Sequence, residues 1–120
     1  MSTPPVISYP QETKKSDKRM RVYLSGPVSH MPDLNRAAFA EAQAALEAAG
    51  YEVINPLNLS GATDWHVCMR EDIKALMDCD AVAVLDGWER SRGAKIEVNL
   101  ATRLDMPVRH WQQWVREAQA

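Results

Sequence analysis

Residues 85–101, LDGWERSRGAKIEVNLA, gather the side chains best placed for chemistry. The apolar run 81–85 passes into a polar loop, and the loop opens a helix. Such a corner offers free backbone N–H groups and the positive end of a helix dipole, both suited to a phosphate. Within the helix, Glu97 is out of place. At helical spacing its neighbours are Gly93, Ala94, Leu100 and Ala101, the small apolar side that belongs on a sheet. Lys95, Asn99 and Arg103 mark the solvated side. A carboxylate on the packing side is costly unless it is paired or used. Two readings fit: a partly exposed Glu favoured by the helix dipole, or a functional carboxylate.

Other candidates carry a structural and a functional reading side by side. Asp72 borders the apolar stripe of an earlier helix, next to Ile73, and is either a solvated helix-face residue or a second working carboxylate. Tyr23 interrupts an apolar strand near its carboxyl end, as a core aromatic with a partnered hydroxyl or as a site residue. Trp88 either stacks on a ligand base or caps the core. Ser91 is either a helix N-cap or a phosphate contact. Arg90 and Arg92 are surface cations that could assist at the same corner.

Four strands and four helices must position these residues. Strands are expected at 19–25, 51–54, 81–85 and 107–110, and helices at 36–49, 65–77, 92–104 and 111–118. Gly50 ends the first helix as a C-terminal glycine should, and Asp33 or Asn35 is expected to cap its start. Asp64 caps the second helix, whose stripe runs Trp65, Met69, Ile73, Leu76 and Met77. Strict β-α alternation with short loops predicts a parallel sheet covered on both faces, with order 2-1-3-4. The topological switch point then lies between the first and third strands, where ligands bind beyond the carboxyl ends. That places Tyr23, Ser25 and Gly26 opposite Asp86, Gly87, Trp88, Ser91, Arg92 and Gly93.

Composition narrows the function classes. The chain has 120 residues, a net charge of -2 and 46% hydrophobic residues, which suits one small globular domain and no nucleic-acid polymer or anionic membrane as partner. Cys68 and Cys79 are too few for a disulfide framework and read as reduced thiols of a cytoplasmic protein. No apolar run has membrane-spanning length and no signal-peptide pattern opens the chain. His30, His66 and His110 lack ligand-like spacing with the cysteines, so no metal is expected. No G-x-G-x-x-G or Walker A sequence is present, so no nucleotide cofactor is expected. Residues 1–18 lack periodicity and are expected to form a disordered tail ahead of a domain at 19–120. Trp111 and Trp114 on a short last helix are core or subunit contacts, and their apolar surface predicts a homodimer or larger assembly.

Several segments together resemble a known family. They are Val22-Tyr23-Leu24-Ser25-Gly26-Pro27, Asn55-Pro56, Met69-Arg70-Glu71-Asp72-Ile73, Cys79-Asp80, and Gly87-Trp88 followed by Ser91-x-Gly93-Ala94-x-x-Glu97. Over about residues 21–108 the chain resembles a compact phage and bacterial domain family of unknown function, DUF4406-like. That family is similar to nucleoside 2-deoxyribosyltransferases and deoxynucleoside 5'-monophosphate N-glycosidases. The resemblance implies a flavodoxin-like, Rossmann-like three-layer sandwich. It implies that Glu97 attacks C1' of the sugar, that Asp72 protonates or positions the leaving base, and that Tyr23 orients the nucleophile. It also implies that a Ser six residues before the Glu, here Ser91, holds a 5'-phosphate where transferases carry an Asp for a free 5'-hydroxyl. N-glycoside cleavage passes through an oxocarbenium-like state that a carboxylate can trap, while a second group handles the leaving-group proton.

The expectation is therefore hydrolysis of a (deoxy)nucleoside 5'-monophosphate to free base and sugar phosphate. Glu97, Asp72 and Tyr23 are catalytic. Ser25, Gly26, Ser91 and Arg92 surround the phosphate and Trp88 contacts the base. Base exchange between nucleosides and non-catalytic nucleotide binding are the rival readings.

Overall fold

The computed structural model describes residues 19–59 and 61–119, so the expected tail at 1–18 lies outside the described residues. The chain runs β1 (Arg21–Ser25), α1 (Arg36–Ala48), β2 (Glu52–Ile54), α2 (Trp65–Met77), β3 (Ala81–Val84), α3 (Arg92–Arg103), β4 (Val108–His110) and α4 (Trp111–Gln119). Short 3-10 turns at Pro32–Asn35, Pro56–Asn58 and Trp88–Arg90 interrupt the connecting loops. All strand pairs are parallel and the sheet order is β2-β1-β3-β4, as the alternation predicts.

Strand alternation sorts the core into two layers. Val22 and Leu24 face α1 and α4, where they meet Phe39, Ala42, Leu46 and Trp114. Tyr23 and Val82 face the other side, with Leu76 of α2 and Ala101 of α3. β1 therefore sends successive side chains into different layers, and only the α2–α3 layer receives Tyr23.

Two expectations change on this frame. Neither Asp33 nor Asn35 caps α1 through its side chain: Asn35 is left-handed (φ 61) and its amide donates to the Pro27 carbonyl at 2.9 Å. Asp33 instead pairs with Arg36. Trp114, expected to add apolar surface for a subunit contact, is 4% exposed and donates its indole N–H to the Val82 carbonyl at 2.8 Å. Its ring meets Tyr51 edge-on and carries the Arg109 guanidinium on its face, and Trp111 packs against the same layer. The surface on which the dimer expectation rests is thus largely internal. No helix among the described residues is long and apolar enough to cross a membrane.

Candidate active site

β1 delivers two hydroxyls to one point. Tyr23 and Ser25 are two residues apart on a strand, so both point to the α3 side of the sheet. Close approaches then draw the surrounding elements together. A Cβ on Gly26 would lie 2.8 Å from the Leu85 Cβ, so only glycine lets the end of β1 pass the end of β3. A Cβ on Gly93 would lie 3.0 Å from the Met69 sulfur, so the first turn of α3 nests against α2. Gly87 holds the intervening turn with φ +87, a conformation costly for other residues.

Glu97, one turn into α3, lands on the two hydroxyls. The Tyr23 hydroxyl donates to Oε2 at 2.8 Å and the Ser25 hydroxyl donates to Oε1 at 2.7 Å. Glu97 is 5% exposed and Tyr23 and Ser25 are fully buried. Burial pushes the Glu97 carboxyl up to about 7, against the opposing pull of the Ser25 and Tyr23 hydrogen bonds. Burial, followed by the Glu97 charge, holds the Tyr23 phenol well above its ordinary range, so it remains a donor. Asp72 is half-buried on α2, and burial with the neighbouring Glu71 charge pushes it up to about 6. The Asp72 charge adds a smaller upward push on Glu97, so the site holds two carboxyls titrating near neutrality, a pattern typical of acid–base sites.

Three adjoining clefts surround this pair. Glu97 and Asp72 border a small central cleft of about 60 Å³, together with Gly26, Met69, Ser91 and Gly93. Beside it, at the N-terminus of α3, lies a cleft of about 420 Å³ bordered by His30, Asp86, Arg90, Ser91 and Arg92. On the Asp72 side lies a third, of about 430 Å³, with Leu34, Pro56, Leu57, Trp65 and Cys68 on its walls. Ser29 borders all three. The Ser91 hydroxyl accepts from the Ala94 N–H at 3.2 Å, which makes it the N-cap of α3. The N–H groups of Arg92 and Gly93 come ahead of the first intrahelical bond and leave the helix's positive end at the cationic cleft.

A family model described as a domain of unknown function, DUF4406, matches residues 20–110. The chain belongs to the DUF4406 family. No curated protein matches the sequence. Among solved structures, the chain is similar in fold to a 2-deoxyribosyltransferase of the psychrotolerant bacterium Bacillus psychrosaccharolyticus, with a TM-score of 0.56 and 18% identity. The match covers 73% of this chain and 69% of that one. The four-stranded parallel sheet and its covering helices are thus the deoxyribosyltransferase arrangement.

The DUF4406 domain brings Asp72 and Glu97 to one cleft, with Tyr23 fully buried behind Glu97 and bonded to it, and brings Asp86, Gly87, Ser91, Arg92 and Gly93 to the cationic neighbour. Four residues sit differently from expectation. Gly26, expected beside a phosphate, borders the central cleft and packs on Leu85. Ser25, expected beside a phosphate, is fully buried and its hydroxyl is committed to Glu97. Trp88, expected against a base, packs on the core layer of Tyr23, Leu76 and Val82. Asp86 borders the cationic cleft, but its Oδ1 accepts from His110 Nε2 at 2.7 Å, while His110 Nδ1 accepts from the Gln112 N–H. The Ser25 contact was legible in principle, because period-two alternation puts it beside Tyr23. Trp65, one heptad before Asp72 on α2, borders the third cleft, a position that its place on the apolar stripe does not reveal.

Proposed function

We propose that this DUF4406 domain cleaves the N-glycosidic bond of a (deoxy)nucleoside 5'-monophosphate, releasing free base and (deoxy)ribose 5-phosphate. One observation carries the reading: a buried carboxylate, gripped at both oxygens, borders a small cleft flanked by a cationic cleft and by a half-buried second carboxyl. The 5'-phosphate occupies the cationic cleft against the start of α3, near Ser91, Arg90 and Arg92. The sugar then lies over Glu97.

The Glu97 carboxylate attacks C1' as the C1'–N bond breaks through an oxocarbenium-like state. Asp72, partly protonated near neutrality, gives its proton to the departing base. The resulting glycosyl ester is opened by water at C1', which passes a proton to Asp72 and restores the Glu97 carboxylate. Tyr23 and Ser25 hold the carboxylate in line throughout, and each of its oxygens keeps a second lone pair for attack.

The likeness to a 2-deoxyribosyltransferase supports a second reading, in which another free base rather than water receives the sugar. Chromatography of free base released from a panel of nucleotides and nucleosides tests both. Hydrolysis gives free base and sugar phosphate without any acceptor. Exchange gives a new nucleoside only when a second base is added. Absence of base release from every substrate, with nucleotide binding retained, would leave a binding module and overturn the enzymatic reading.

A further inference from the structure

The 430 Å³ cleft beyond Asp72 has no role in the steps above. Val28, Leu34, Pro56, Leu57 and Trp65 form its apolar walls, Arg36 and Thr63 also border it, and Asp72 stands where it meets the Glu97 cleft. A mostly apolar cleft with an aromatic ring on its wall and a protonatable carboxyl at its inner end suits a planar heterocycle whose edge nitrogen must be protonated on leaving. Trp65 is the aromatic residue of this wall and its position is strongly defined. It is the first residue of α2, immediately after Asp64, whose carboxylate accepts from the His66 and Val67 N–H groups at 2.8 and 3.1 Å. The Arg92 guanidinium lies 4.0 Å from the centroid of its ring. Arg92 also borders the cationic cleft, so the Trp65–Arg92 contact links a wall of one large cleft to a wall of the other.

We propose that Trp65, clamped by Arg92, is the platform on which the nucleobase stacks, and that Trp88 is a core residue without a ligand contact. The inference rests on the nucleotide reading of the site and adds the location and chemistry of its base subsite. An indole face binds any base with modest selectivity, because every base offers a π face. Arg92 holds the ring before the ligand arrives and so reduces the ordering that binding requires. The phosphate-side cation and the base-side ring are then a single unit, which favours ligands that occupy both clefts.

Equilibrium binding on protein carrying Glu97→Gln, where turnover is removed, tests this. The probes are the four deoxynucleoside 5'-monophosphates and ribose 5-phosphate, which lacks a base. Trp65→Ala is expected to weaken the nucleotides roughly fivefold to a hundredfold, while ribose 5-phosphate stays within about twofold. Trp65→Phe should recover most of the loss. Trp65→Leu, which keeps apolar bulk without a π face, should not recover it, and it serves if the alanine variant fails to fold. Unchanged nucleotide affinity in Trp65→Ala or Trp65→Leu, with base release intact in the unsubstituted protein, overturns the proposal alone. Equal losses for nucleotide and ribose 5-phosphate overturn it as well. Failure of the unsubstituted protein to bind any nucleotide overturns it together with the functional reading.

Discussion

Tyr23 and Glu97 lie 74 positions apart in the chain and share a buried hydrogen bond of 2.8 Å. The bond joins β1, one of the two inner strands of the sheet, to the helix that follows the third strand, across the topological switch point. It favours the ionised carboxylate, while burial favours the protonated acid, and burial wins. The Glu97 carboxyl is thereby ready to ionise near neutrality without being firmly ionised.

Tyr23→Phe removes the donor and keeps the ring. A hydrogen bond to a charged group contributes about 1.5–3 kcal/mol, so the Glu97 carboxyl should rise by about one unit or more. Less of the Glu97 carboxyl is then ionised at neutral pH. We expect kcat/KM for nucleotide cleavage to fall about fivefold or more at pH 7, and the alkaline limb of the rate profile to move to higher pH. An unchanged profile would remove Tyr23 from the positioning of Glu97.

Asp72→Asn separates the two carboxyls. With values of about 6 for Asp72 and about 7 for Glu97, the productive form, Glu97 ionised and Asp72 protonated, is the minority of the singly protonated pair. The wild-type profile should therefore be bell-shaped, with its maximum between the two values. In Asp72→Asn only Glu97 titrates, so the rate should be lower but rise with pH to a plateau. Initial rates of base release from pH 5 to 9 distinguish the shapes. A bell retained in the variant would assign the second limb to another group.

Glu97→Gln should abolish turnover and reverse a pH-dependent instability. The Glu97 carboxyl is raised from 4.5 to about 7 on folding, so the native state holds the proton more tightly than the unfolded chain. Its contribution to stability is full below about 4.5 and is lost as pH rises through about 7, an effect of up to about 3 kcal/mol. Glutamine does not titrate. The Tm of Glu97→Gln relative to wild type should thus increase between pH 4.5 and 8, as read by thermal melts at matched ionic strength. A difference independent of pH would show that Glu97 is ionised throughout.

Ser91→Ala combines two losses, because its hydroxyl caps α3 at the edge of the cationic cleft. The cap is worth about 1 kcal/mol, or roughly 4–8 °C in the Tm of a domain this small. If the residue also meets phosphate, affinity for a nucleoside monophosphate should fall about tenfold to a hundredfold while the nucleoside is barely affected. Equal losses for the two ligands would leave Ser91 with its capping role alone.

The order of elements, the parallel sheet and the placement of Glu97 on the packing side of α3 followed from the sequence. They depend on local periodicity: period two in β1, period 3.6 in α3, and alternation of the two along the chain. The match of Asp64, Gly50 and Ser91 to helix ends is local in the same way. Partnership between distant groups is not encoded in any local pattern. The Ser25 hydroxyl goes to Glu97 and not to a phosphate because the glycines at 26 and 93 let β1, α2 and α3 close on one point. Trp88 and Trp65 are both tryptophans beside loops at the carboxyl edge of the sheet. Only the closure of the layers lays the first, half-buried, against the core and sets the second on the wall of a cleft, under Arg92. Side-chain burial is a property of how layers close, and that closure decided which of the candidate residues face the site.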